Sequence, residues 1–313
     1  MMSFQPRPYR DSSDLDKMLS ILIEGRKANN GAYYVHTGDV SWWLFYHDPD
    51  EPFSEQIVLW EDGDGNALGW VLFTPDEGFF DLFVHPSLCG TPQAEQMHRW
   101  AEERIAEKVK ARGGKAIRVM WIFETDAARR QLLEERGFSL AGPDSHLGQM
   151  LYFRRSLAEP IATPTLPDGF VVRSTAGEQE VEARAAAQYG AFQSKWQWDR
   201  YVARFRRFMQ SPVYDPERDT AAVAPDGRFA AFCIFWLDPV NKVGLFEPVG
   251  AHPDFQKKGL GRAVLLEGLR RMKADGMETA IVCAEADNEA AVRLYESVGF
   301  RTANKLCMYV KDV

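Results

Sequence analysis

Three short motifs recur in the same order along the two halves of this 313-residue chain. Gly31-Ala32-Tyr33 returns as Gly190-Ala191-Phe192, His85-Pro86 as His252-Pro253, and Arg136-Gly137-Phe138 as Val298-Gly299-Phe300. The offset stays near-constant, at about 159 to 167 residues, which predicts one fold present twice. Between the halves, residues 156–168 carry Pro160, Pro164 and Pro167 and no hydrophobic period, the pattern of an extended linker. The expected organisation is therefore a domain over 1–155, a linker over 156–168 and a second domain over 169–313.

Each half predicts the same order of elements. In the second, helices over Glu178–Phe192 and Trp198–Met209 precede a hairpin, Thr220–Ala224 and Phe229–Leu237, around the turn Pro225-Asp226-Gly227. A strand over Val243–Ala251, a long helix from Gly259, a buried strand over Thr279–Ala284, a helix over Asn288–Ser297 and a last strand over Thr302–Val310 follow. In the first half, strands Gln56–Trp60, Ala67–Phe73 and Phe79–Val84 lead to a helix with Thr91 as N-cap and Pro92 at its first position. Strand Lys115–Ile122 and helix Asp126–Glu135 come next. This order predicts an α/β fold of the α+β kind, a mixed and mostly antiparallel twisted sheet flanked by helices in each half.

The net charge of −8 argues against nucleic acid as a partner, and nearly all of the acidic excess lies before residue 158. Cys89, Cys233, Cys283 and Cys307 show no metal-ligand or redox spacing, so no metal is expected and reduced thiols in a cytoplasmic protein are. No apolar run is long enough to span a membrane, and no membrane partner is expected.

The stretch Gln256-Lys257-Lys258-Gly259-Leu260-Gly261-Arg262 joins the strand ending at Ala251 to the long helix. Free amides, the positive end of a helix dipole and basic side chains make such a turn an anion site. It lacks the Gly-Lys-Ser/Thr of a nucleotide P-loop, since Gly261-Arg262-Ala263 offers no hydroxyl. It also lacks the third glycine of a dinucleotide fingerprint, because Val264 stands there.

Two motifs together resemble the GCN5-related N-acetyltransferase family. One is the apolar strand followed by Gln256-Lys257-Lys258-Gly259-Leu260-Gly261. The other is Asn288, Ala291, Leu294-Tyr295 and Gly299-Phe300 in the family's spacing. The resemblance covers residues 169–313. It implies acetyl-CoA as acyl donor, with the pyrophosphate on the amides from Lys257 to Arg262 and the pantetheine arm on Val249, Gly250 and Ala251. Gln256, Lys257, Lys258, Gly259, Leu260, Gly261, Arg262, Asn288 and Ala291 thus become expected cofactor-binding positions, although Asn288 also suits a helix cap. Tyr295 is expected as the acid that protonates the leaving thiolate. Strand alternation places Glu247 on one face with Val249 and Ala251, where its carboxylate accepts the amine proton or pairs with a base at the strand end.

The first half shares the layout and departs in the chemistry. Ser87-Leu88-Cys89-Gly90-Thr91-Pro92-Gln93 has no basic residue and no Gly-x-Gly, and Asp126 and Leu133 replace the second motif's Asn and Tyr. A degenerate copy follows from this. The expected reaction is direct acetyl transfer from acetyl-CoA to a primary amine in a ternary complex, since no cysteine lies in the site motifs. The alternative is a non-catalytic acyl-CoA sensor. Acceptor-lining residues are sought among Trp196, Trp198, Tyr201, Phe205 and Phe208, and among Tyr33, Tyr34, Trp42, Trp43, Phe45 and Tyr46; a homodimer is compatible with all of this.

Overall fold

A computed structural model describes residues 5–46, 52–142 and 149–313. In chain order the elements are β1 (Pro6–Pro8), α1 (Ser12–Ala28), α2 (Thr37–Phe45), α3 (Phe53–Gln56), β2 (Ile57–Glu61), β3 (Ala67–Thr74) and β4 (Phe79–Val84). Then come α4 (Pro92–Ala111), β5 (Ala116–Phe123), α5 (Ala127–Glu135), β6 (Ser139–Leu140) and β7 (Gln149–Ser156). The second half contributes β8 (Val171–Ser174), α6 (Val181–Ala191), α7 (Trp198–Met209), β9 (Asp219–Val223), β10 (Phe229–Asp238) and β11 (Val243–Ala251). It closes with α8 (Leu260–Ala274), β12 (Thr279–Glu285), α9 (Glu289–Ser297) and β13 (Arg301–Asp312).

The chain forms two compact units, and neither is a single stretch of sequence. Among the described residues, 5–36, 52–142, 149–152 and 304–313 make the first, and 37–46 with 153–303 make the second. This differs from the division at residues 156–168. Helix α2 is built into the second unit, and most of β13 completes the first. In the first unit the strand order is β1-β2-β3-β4-β5-β13, antiparallel except for β4 beside β5. In the second, β9 to β11 are antiparallel neighbours, β8 closes one edge against β9, and β12 runs parallel to β11. The mixed, largely antiparallel sheet with flanking helices agrees with the predicted class.

The hydrophobic period decides which face each helix buries. In α4, Ala94, Met97, Ala101, Ile105 and Val109 follow the i, i+3, i+4 rule and pack with Trp60, Phe73, Phe80 and Ile117. In α8, Leu260, Val264, Leu265, Leu269 and Met272 are buried in the same manner. The second unit also buries a charge pair. Arg184 and Asp219 are both 0% exposed and 2.8 Å apart, and the guanidinium lies 3.9 Å from the Phe232 ring centroid. Removing either partner of such a pair leaves a bare buried charge and costs about 3–5 kcal/mol.

Candidate active site

The site follows from one break in the second unit's sheet. β11 and β12 pair in parallel only from Val243↔Thr279 to Leu245↔Ile281. β11 continues to Ala251 and β12 to Glu285 without further pairs between them. Beyond Leu245 this edge of β11 is therefore open to an extended ligand, which can pair with it as an added strand.

The same stretch holds an irregularity that alternation does not reveal. Phe246 pairs with Phe235 and Val249 with Cys233, so three steps along β11 match two along β10. The Glu247–Pro248 peptide inside this bulge is cis. Val249 consequently shares the face of Phe246, and the expectation that Glu247, Val249 and Ala251 share one face is corrected. Gly250 is also reassigned. A Cβ there would lie 2.5 Å from Phe232 and 3.1 Å from Ala191, so its missing side chain admits α6 and an aromatic ring. Val249 and Ala251 are half-buried, and the Ala251 carbonyl accepts a long bond from Gln256 Nε2 at 3.4 Å.

The turn after β11 has the form of an anion cradle. Lys257 and Gly259 hold positive φ angles of 61° and 77°, and Gly259 is the N-cap of α8. No side chain caps this helix, so the first-turn N–H groups of Leu260, Gly261 and Arg262 keep their hydrogen-bonding capacity. A Cβ on Gly259 would meet nothing within 4 Å, which marks open space above the amides. The two glycines divide the work, because a Cβ on Gly261 would instead press on Leu294 at 3.3 Å, against α9. Lys257 and Lys258 are exposed; the Lys258 ammonium sits 5.3 Å from the Phe255 ring and 6.0 Å from Phe170. Arg262 is half-buried on the first turn.

Helix α9 packs against α8 and β12. Asn288 is its N-cap and accepts the Ala291 N–H at 3.1 Å, so the capping role assigned to it is realised in the fold. Ala291 lies half-buried in the first turn of this helix. Tyr295 is 6% exposed, with its ring edge-on to Phe153 at 5.7 Å and near Phe300 at 6.2 Å. Burial pushes the phenol's pKa up, and the neighbouring Cys283, Cys233 and Glu247 push it further. The phenol is thus protonated throughout the physiological range. Cys283 lies half-buried on β12, near enough to act on Tyr295, although it belongs to neither motif.

Glu247 has a neighbour that no local pattern discloses. Its carboxyl group is raised well above the usual carboxylate range, first by removal from water, then by the charge of Asp39 and a hydrogen bond shared with it. Asp39 lies in the first turn of α2, where the positive end of the helix favours its negative charge. The Glu247 carboxyl therefore favours its protonated form. Two contacts set this pair. The Trp236 indole donates to the Glu247 carbonyl at 2.7 Å. α2 lies directly on that indole, since a Cβ on Gly38 would stand 2.3 Å from Trp236 Cβ. Farther along α2, Trp42 stacks on Tyr46 at 4.0 Å, and Tyr46 accepts from Gln188 and Arg204. These aromatics, sought as an acceptor wall, help anchor α2 on α6 and α7.

The first unit shows what the chemistry loses. Its β4 and β5 pair only at Phe79↔Arg118, so a similar gap opens. Here the edge is filled by the protein itself. Arg129, at the position of Ala291, donates to the Leu82 carbonyl at 3.2 Å, and the Tyr34 hydroxyl donates to the Val84 carbonyl at 2.7 Å. The helix start also offers fewer free amides. The Thr91 side chain caps the Ala94 N–H, and Pro92 has none to offer.

A model of the acetyltransferase (GNAT) family matches residues 182–300. A mycothiol acetyltransferase of Streptomyces avermitilis is 30% identical over 231 residues, covering 73% of this chain and 70% of the relative. One from Paenarthrobacter aurescens is 26% identical, with 81% and 84% covered. Among solved structures, a tandem GNAT protein from the clavulanic acid biosynthesis pathway superposes with a TM-score of 0.68 over 98% of both chains at 14% identity. A GCN5-related N-acetyltransferase from Sphaerobacter thermophilus gives 0.62, covering 98% and 95% at 18% identity. Among the described residues no helix is long and apolar enough to cross a membrane, and no cluster of three or more metal-ligating side chains occurs. The open strand edge, the uncapped helix start and these likenesses agree: the chain belongs to the GNAT family of acetyltransferases and is an acetyl-CoA-dependent acyltransferase with a tandem fold.

Proposed function

We propose that the second unit transfers the acetyl group of acetyl-CoA directly to a primary amine, within a complex that holds both substrates. What supports this reading is that the Tyr295 phenol and the Glu247 carboxyl lie near enough to act on each other, with Glu247 on the part of β11 left unpaired by β12. The pyrophosphate rests on the Leu260–Arg262 amides, and the pantetheine amides pair with β11 beyond Leu245. An incoming ammonium is drawn to Asp39 and Glu247. Its positive charge favours ionisation of Glu247, which then takes the amine proton directly or through water. The neutral amine attacks the thioester carbonyl, and the departing thiolate takes the proton of Tyr295. The phenol serves this purpose because it makes no other hydrogen bond among the described residues.

Cys283 offers a different route, in which its thiol would carry the acetyl group before the amine does. Initial-rate kinetics separate the two. Intersecting double-reciprocal lines, with Cys283→Ser retaining turnover, support direct transfer; parallel lines with an inactive variant would refute it. The acceptor panel pairs small primary amines with the precursor amine of mycothiol, the latter because the relatives above carry that name. Release of free thiol reports turnover. Tight CoA binding with no release from any amine would favour a sensor.

A further inference from the structure

The gap between β4 and β5 in the first unit is only partly filled by its own side chains. A cavity of about 340 Å³ remains, with an apolar wall of Leu82, Phe83, Val84, Ala94 and Leu132. Two charged residues of opposite sign line it from the start of α5, Asp126 and Arg129. They do not neutralise each other. Asp126 uses Oδ1 to cap the Arg129 backbone N–H at 3.1 Å, and among the described residues no cation pairs with its carboxylate. Arg129 gives Nη2 to the Leu82 carbonyl and lies 5.6 Å from the Phe83 ring, and among the described residues no carboxylate pairs with it.

Two other titratable groups are buried nearby. His98 lines the cavity, 8% exposed, with Nδ1 lacking any partner, and burial pushes its pKa down to about 3. Asp81, also 8% exposed with a partnerless oxygen, is pushed up by burial to about 7 and drawn back by the charge of Arg129, so it carries part of a negative charge near neutral pH. Cys89 lies at the wall beside the Tyr34 hydroxyl, 3.6 Å away. The cavity lining therefore presents one anion and one cation, neither in a direct ion pair among the described residues, together with an apolar wall. A ligand bearing a single charge would satisfy one and repel the other. At this end a phosphate-bearing acyl-CoA would meet Pro92 and the Thr91 cap in place of open helix amides, and side-chain donors already on the Leu82 and Val84 carbonyls.

We propose that this cavity binds a zwitterionic α-amino acid with a large apolar or aromatic side chain. Its carboxylate meets Arg129, its ammonium meets Asp126, and its side chain fills the space against Leu82, Phe83 and Leu132. This site is separate from the acetyl-transfer site and needs no turnover to be observed.

Calorimetric titration of the full chain tests it, with L-phenylalanine, 3-phenylpropionate and 2-phenylethylamine as probes. L-phenylalanine binds at one site per chain. Each singly charged analogue binds about tenfold or more weakly, because it forfeits one charge-assisted contact. Asp126→Asn keeps the helix cap while removing the charge, and Arg129→Gln removes the other; each lowers L-phenylalanine affinity by a similar factor. Affinity for 3-phenylpropionate equal to that for L-phenylalanine would overturn the proposal. So would no L-phenylalanine binding at millimolar concentration, or unchanged binding by the folded Asp126→Asn protein. The outcome is independent of acetyl transfer, which is followed separately through thiol release.

Discussion

Gly259 and Gly90 form a matched pair that isolates the cofactor cradle from its structural cost. Both hold a φ of 77°, and a Cβ on either would meet nothing within 4 Å. Alanine at either position therefore costs the left-handed conformation alone, about 1–2 kcal/mol. For units of this size that lowers the melting temperature by about 2–8 °C. The two substitutions part company at the ligand. At Gly259 the new methyl stands over the free amides of Leu260, Gly261 and Arg262. If it displaces the phosphate from one charge-assisted hydrogen bond, worth about 1.5–3 kcal/mol, CoA affinity falls by about tenfold to a hundredfold. At Gly90 the following helix is closed by Thr91 and Pro92, so CoA affinity is unchanged. Thermal denaturation and calorimetric CoA titration of both variants supply the comparison. Equal weakening of CoA binding by the two, or none at Gly259→Ala, would refute the reasoning.

Three further outcomes follow from the site. Tyr295→Phe lowers kcat by about a hundredfold or more while acetyl-CoA affinity stays near wild type; an unchanged kcat would remove the phenol as the acid. Asp39→Asn removes the charge that raises the Glu247 pKa, so the acid limb of the kcat/KM profile moves to lower pH. The sign is set by the base being active only when ionised, and a limb that stays in place would separate Asp39 from Glu247. Gly38→Ala forces a methyl into Trp236 and costs about 1–3 kcal/mol, with a loss of turnover that thermal unfolding and thiol release measure together.

Local signals carried much of this fold. The apolar period of α7 gives its bounds, Trp198–Met209, and Thr91-Pro92 gives the start of α4, because these depend on neighbours within a turn or two. The cap role of Asn288 lies within the same range. What escaped the sequence is long-range. Nothing near Asp39 indicates that α2 folds into the second unit, or that its carboxylate meets Glu247. The bulge at Glu247–Pro248 was hidden because alternation assumes an unbroken ladder, and the shift appears only against β10. Gly250 was expected along the pantetheine arm and Gly261 at the phosphate, and the reason neither carries a side chain lies in packing that no local motif reveals, against Phe232 and Leu294. Cys283 was passed over because it stands outside both motifs and reaches Tyr295 only through the strand geometry.

The central claim is that one unit of two keeps a working acyl-CoA site. A calorimetric titration of the intact chain with CoA tests it most directly. One site per chain, lost on Gly259→Asp and kept on Gly90→Asp, is the predicted result. Two sites per chain, or a single site lost with Gly90→Asp and kept with Gly259→Asp, would contradict it.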